Sequence, residues 1–91
     1  MKIYELLSDE SKWIKNSAAV DSDGNFVSVF ADEAVGWCLL GAAEKCYNNR
    51  YREIHKILRN KISSDYKSLI DYNDNHATYQ DIINLCKELD I

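Results

Sequence analysis

The sequence predicts a mainly α-helical domain with a small β component, in which about four helices pack round a buried central helix 32–47. Three observations predict this class: apolar residues at helical spacing, a long uncharged run in mid-chain, and a turn signal between alternating apolar residues. Hydrophobic residues make up 46% of the chain and charged residues 29%, which is typical of a globular protein. We expect the 91 residues to form one domain, 1–91.

The first predicted helix covers residues 2–15, with Ser8 as the one point where it could break. It rests on these apolar positions: Ile3, Leu6, Leu7, Trp13 and Ile14.

A short β-hairpin is predicted near 17–30. Asp23-Gly24 is a turn signal because glycine accepts the positive φ of a tight turn. Apolar residues alternate on either side of it: Ala18, Val20, Val27 and Val29.

The central helix is expected to begin with Asp32 as its N-cap and to be buried on all sides, because residues 34–43 carry no charge. Gly36 and Gly41 disfavour a helix in isolation, so we expect another part of the chain to approach closely there.

The second half of the chain predicts two further helices. The first follows the stripe Tyr51, Ile54, Ile57, Leu58 and Ile62. Residues 71–77 are predicted to form a loop. Thr78 and Asp81 then resemble a capping box, which predicts a final helix over 79–90.

Charge is unevenly distributed along a chain of net charge −4. Residues 45–61 carry six basic residues and one acid, which is most simply a solvated surface; docking on an acidic protein is the second interpretation. The predicted partner-binding residues are Arg50, Tyr51, Arg52, Lys56 and Arg59. Nucleic-acid binding through this 50–61 helix is a third choice, because the isoelectric point is only about 5.0.

Three cysteines without paired spacing favour a reducing compartment, and the amino-terminal residues do not form a signal sequence. With no apolar run near 20 residues, we expect a cytoplasmic protein that does not enter membranes. Its oligomeric state stays open.

A small enzyme or ligand-binding domain is the alternative function, using Asn73, Asp74 and His76 as a ligand loop, with Cys38 beside it. For Asn73 and Asp74 a structural role is favoured over a site role, because such side chains commonly accept backbone N–H bonds and hold a loop. A dyad of Cys38 with His76 or His55 stays open, although an inert core thiol is favoured.

No cofactor or metal is expected. The acidic stretch Asp21–Asn25 could be part of a calcium loop, but Phe26 stands where such a loop needs glycine, so a plain turn is favoured.

Several motifs resemble a family of short uncharacterised bacterial and phage proteins classed as a domain of unknown function. They are Trp13, Asp21-Ser22-Asp23-Gly24, the run Ala34–Ala42 with its Trp37-Cys38 pair, Tyr72-Asn73-Asp74, and Thr78. The chain departs from the family pattern at Tyr79, where histidine is usual, and at Asp81, where glutamate is usual. The resemblance implies a bacterial or phage origin and no assigned activity.

The leading prediction is therefore a non-enzymatic protein-interaction domain, of the kind a phage uses to modulate or inhibit a host protein complex. It rests on the uneven charge, on the absence of a convincing catalytic motif, and on four tyrosines expected at the surface: Tyr47, Tyr51, Tyr66 and Tyr72.

Overall fold

The computed structural model describes residues 1–91 and confirms the mainly α-helical class with a small antiparallel β component. The elements, in chain order, are α1 (Ile3–Leu6), β1 (Ala19–Val20), β2 (Gly36–Trp37), α2 (Leu39–Cys46), α3 (Tyr51–Lys61), α4 (Leu69–Asp71) and α5 (Tyr79–Leu89). Two 3₁₀ turns lie at Glu10–Lys12 and Asn48–Arg50, and a π-helical turn, Tyr72–His76, continues α4.

Helix α2 is central and packs against α1, α3 and α4. It is shorter than the predicted helix 32–47, and its N-cap is Cys38 rather than Asp32. The Cys38 Sγ accepts a hydrogen bond from the Gly41 N–H at 3.2 Å. The uncharged run is thus divided between strand β2 and helix α2, because a short apolar run suits a buried strand as well as a buried helix.

The β component contains the predicted turn but not the predicted strand pair. Gly24 has the expected positive φ, 83°, and the Asp21 carboxylate accepts the Asp23 N–H at 2.9 Å. Strand β1, however, pairs with β2 in the antiparallel register Ala19↔Trp37, and residues 27–29 contribute only one backbone hydrogen bond to it, from the Val27 N–H to the Ala19 carbonyl at 3.3 Å. The turn itself is closed by a single β-bridge, between Val20 and Phe26. The loop that follows the turn then brings β2, with its buried Trp37, alongside β1.

The predicted helix 2–15 is wrong beyond its first turn. Helix α1 ends at Leu6, and the Asp9 carboxylate then accepts the Ser11 N–H at 3.0 Å to cap a 3₁₀ turn. Trp13 is extended, and the Ile14 N–H donates to the Trp37 carbonyl at 3.1 Å. Serine and aspartate are favoured at helix caps rather than in helix interiors, so Ser8 and Asp9 disfavour a continued helix. For Trp13 and Ile14, pairing with β2 outweighs helical propensity.

The carboxyl-terminal helix agrees with the sequence prediction. Thr78 and Asp81 form the capping box, with the Thr78 hydroxyl accepting the Asp81 N–H at 3.1 Å. The buried Ile91 accepts the Ile3 N–H through its backbone oxygen, which ties the two ends of the chain together. Residues 71–77, predicted as a loop, are instead mostly helical.

Gly41 confirms the predicted close approach. A Cβ atom added there would overlap the carbonyl oxygen of Ala18, because the backbone of residue 18 lies directly against α2. Only glycine leaves room for this contact.

We therefore expect Gly41→Ala to lower the free energy of unfolding by about 2 kcal/mol, although alanine is the better helix former. Urea denaturation measures this, with Lys45→Ala on the exposed side of α2 as control, where a change under about 0.5 kcal/mol is expected. A Gly41→Ala variant as stable as the parent would contradict the close approach.

Candidate functional site

The candidate site is built round Asn73, the one buried polar side chain, which is 1% exposed. Its Oδ1 accepts hydrogen bonds from the Trp13 Nε1–H at 2.7 Å and from the Leu39 N–H at 3.0 Å. Its Nδ2 donates to the Ile14 carbonyl at 3.1 Å and to the Asp74 Oδ1 at 2.8 Å. All the hydrogen-bonding capacity expected of a buried amide is thereby used within the protein.

Asp74 extends this network to the loop before β1. Its Oδ1 also accepts the Asn16 N–H at 3.0 Å, and Asn16 has a left-handed φ of 68°. Asparagine tolerates this conformation better than most residues. The contact fixes residues 16–18 beside the first turn of α2, and it leaves the second oxygen of Asp74, Oδ2, without a partner in the protein.

A pocket of about 340 Å³ opens between the loop 16–18, the first turns of α2, the start of α3 and the α4 turn. Its volume falls in the range of small-molecule sites. The lining residues are Asn16, Ser17, Ala18, Cys38, Leu40, Gly41, Glu44, Tyr51, Ile70, Asn73 and Asp74. We call this cavity the α2 pocket.

Cys38 lies in the wall of the α2 pocket, but its chemistry is that of a protected thiol. It is 8% exposed, and burial raises its pKa, with a smaller contribution from the nearby Asp74 carboxylate. The thiolate, which is the nucleophile, is therefore scarce at neutral pH. This agrees with the predicted inert thiol and argues against a nucleophilic role.

The structure separates His76 from the rest of the predicted ligand loop. Its Nε2 lies 3.2 Å from the Asp71 Oδ2, and its ring packs on Tyr66 with centroids 4.8 Å apart. His55 packs instead beside the Tyr51 ring. Neither histidine lines the α2 pocket, so neither forms the proposed dyad with Cys38 there. Of the predicted loop, only Asn73 and Asp74 reach the pocket.

The predicted partner-binding residues do not form one free basic face. Arg50 makes an ion pair with Glu53 at 3.1 Å, and Arg59 donates to the backbone carbonyls of Ser63 and Tyr66. Tyr51 is half-buried and lines the α2 pocket. Arg52 and Lys56, one helical turn apart, are exposed and belong to none of the four ion pairs.

The tyrosines expected at the surface are all half-buried: Tyr47, Tyr51, Tyr66 and Tyr72. The exposed aromatic residues are instead Phe26 and Phe30 in the loop between the strands. No group of three or more His, Cys, Asp or Glu side chains is placed to hold a metal ion. None of the helices combines the length and apolar content needed to cross a bilayer.

Sequence reasoning missed Glu44 and the loop 16–18 as parts of the site. Glu44 follows Leu40 by one helical turn, and that spacing alone places both on one side of α2. Nothing in the sequence indicates that Asn16 adopts a left-handed conformation or that Ala18 lies against Gly41.

No protein family, curated protein or solved structure matches the chain. The family resemblance seen in the sequence motifs stays a prediction.

We expect Asn73→Ala to destabilise the protein by about 3 kcal/mol or more, because it leaves the Trp13 indole N–H, the Leu39 N–H and the Ile14 carbonyl without a partner. Chemical denaturation measures the loss. Asn75→Ala two residues away is the control, since its exposed amide makes only one hydrogen bond, to Asp71. Equal losses in the two variants would show that Asn73 is not the centre of the network.

Proposed function

We propose that this chain is a small-molecule-binding domain and that the α2 pocket is its binding site. The observation that carries the proposal is the cavity of about 340 Å³, in which apolar walls and convergent polar groups occur together. This ranks the small-ligand alternative above the protein-interaction function that the sequence alone favours.

The walls of the pocket are held by contacts that exist without a ligand. Asn73 and Asp74 fix the loop 16–18 and the start of α2 through backbone hydrogen bonds. The Ala18 backbone lies in contact with Gly41. A pocket that is formed in advance favours binding, because little conformational entropy is lost when the ligand enters.

The side chains that line the α2 pocket favour binding without catalysis. The Cys38 thiol is predominantly protonated, and no histidine lines the pocket to act as its base. The Asn73 amide is committed to the protein's own hydrogen bonds. The polar side chains of the lining that are not committed in this way are Asn16, Ser17, Glu44, Tyr51 and the second carboxylate oxygen of Asp74.

The test is a titration of the ¹⁵N-labelled protein with a fragment library of mixed charge, followed by ¹⁵N–¹H correlation spectra. We expect at least one fragment to shift the Ala18 and Gly41 amides saturably. Ile70→Trp should lower the affinity for that fragment by about tenfold or more, because Ile70 is exposed in the pocket wall and a larger side chain there narrows the opening.

Val35→Trp is the matched control, since Val35 has a similar exposure, 48% against 58% for Ile70, but does not line the pocket. If the fragments bind only elsewhere, or if a fragment binds Ile70→Trp and the parent protein with equal affinity, the α2 pocket is refuted as the site.

A protein-interaction function is the second candidate, supported by the exposed and unpaired Arg52 and Lys56 on α3. The partner would carry an acidic surface, and the resemblance to bacterial and phage proteins suggests a host protein. Charge pairs of this kind mainly raise the association rate and respond to salt.

The double variant Arg52→Glu/Lys56→Glu tests the second candidate. A partner purified from bacterial lysate by affinity to the parent protein should bind the double variant at least tenfold more weakly at low salt. Lys87→Glu, an exposed and unpaired lysine on α5, is the control and should bind normally. Equal binding by the double variant would rule out this face.

A further inference from the structure

The charged groups that line the α2 pocket are all of one sign. They are Glu44 on α2 and Asp74 on the π-helical turn, and no lysine, arginine or histidine is among the lining residues. Both residues are half-buried. Carboxylates in partly buried positions are commonly paired with a cation, because removing charge from water is costly.

Neither carboxylate has such a partner within the protein. The four ion pairs use Asp71, Glu53, Glu88 and Asp90. Asp74 employs one oxygen, Oδ1, for its structural hydrogen bonds and leaves Oδ2 free. The pocket is therefore lined by acidic residues from two separate elements, and neither of them has a cation as partner in the protein.

The remaining walls suit an organic group rather than a hydrated metal ion. Ala18, Leu40 and Ile70 supply apolar surface, and the half-buried Tyr51 ring supplies an aromatic one. Tyr51 and Glu44 line the same pocket, and burial together with the Glu44 carboxylate raises the pKa of the Tyr51 phenol. An aromatic ring near a carboxylate is favourable for an organic cation.

We propose that the α2 pocket binds a small organic cation, namely an ammonium group carried on a short apolar body. The ammonium lies between Glu44 and Asp74, near the Tyr51 ring, and the apolar body contacts Leu40 and Ile70. This inference rests on the proposed ligand-binding function and specifies the chemical class of the ligand. It also specifies what the pocket rejects, since an anion would meet two carboxylates with no compensating positive charge.

The experiment uses three probes with the same six-carbon chain and different head groups: hexylamine, hexan-1-ol and hexanoate. Each is titrated at neutral pH into the ¹⁵N-labelled full chain, and dissociation constants are taken from the shifts of the Ser17, Ala18 and Gly41 amides. Hexylamine is expected to bind at least tenfold more tightly than hexanol, and hexanoate should produce no saturable shift at these amides.

Two variants assign the effect to the carboxylates. Glu44→Gln and Asp74→Asn should each lower the affinity for hexylamine by about fivefold, which is the effect expected from removing one partly exposed charge of opposite sign. Asparagine at residue 74 retains an oxygen to accept the Asn16 N–H, so the loop should keep its place. Glu33→Gln is the matched control, because Glu33 is exposed, unpaired and outside the pocket. Correlation spectra of each variant confirm that it is folded.

The possible outcomes separate this inference from the function it rests on. Selective hexylamine binding that is weakened in both pocket variants and unchanged in Glu33→Gln supports the organic-cation site. If all three probes bind with equal affinity, or if the affinity for hexylamine is unchanged in both pocket variants, the cation preference is overturned. The pocket would then still bind apolar chains. If no probe shifts the pocket amides, and the fragment library shifts none either, both the inference and the ligand-binding function fail.

Discussion

The four hydrogen bonds of the Asn73 side chain are the constraint on which the rest of this structure depends. They join the π-helical turn to the Trp13–Ile14 segment and to the first turn of α2, segments far apart in the chain. The bond from the Leu39 N–H satisfies a donor that the start of a helix otherwise leaves unpaired. A buried amide with every group paired adds specificity, because an arrangement of these segments that breaks its hydrogen bonds leaves buried polar groups unsatisfied.

The α2 pocket is a consequence of this network and of one close backbone contact. Asp74 holds Asn16 in its left-handed conformation, and the absence of a side chain at Gly41 lets the Ala18 backbone lie against α2. Together these two contacts fix the position of residues 16–18, which form one wall of the pocket, relative to Cys38 and Glu44. The residues that shape the pocket are thus largely distinct from those that remain free to contact a ligand.

The same arrangement accounts for the character of the pocket. Cys38 serves α2 as its N-cap, and its burial keeps the thiol protonated. Lysine and arginine side chains lie elsewhere: Arg50 is engaged by Glu53, Arg59 by backbone carbonyls, and Arg52 and Lys56 face solvent on α3. Negative charge is therefore left uncompensated at Glu44 and Asp74, which is the basis for the organic-cation proposal.

The sequence by itself determined the helical class, the Asp23-Gly24 turn, the α3 stripe and the capping box of α5, because each depends on residues close together in the chain. It also indicated a close approach at Gly41, but not that the Ala18 backbone makes it. The sequence also singled out Asn73 and Asp74, but it did not indicate which groups they hydrogen-bond. Only the tertiary structure decided that the uncharged run divides into β2 and α2, that Trp13 forms a bridge to Trp37 of β2, and that Glu44 and Tyr51 share a pocket with Asp74. These features depend on pairing and packing between distant segments, where strand partners and backbone contacts outweigh local propensity.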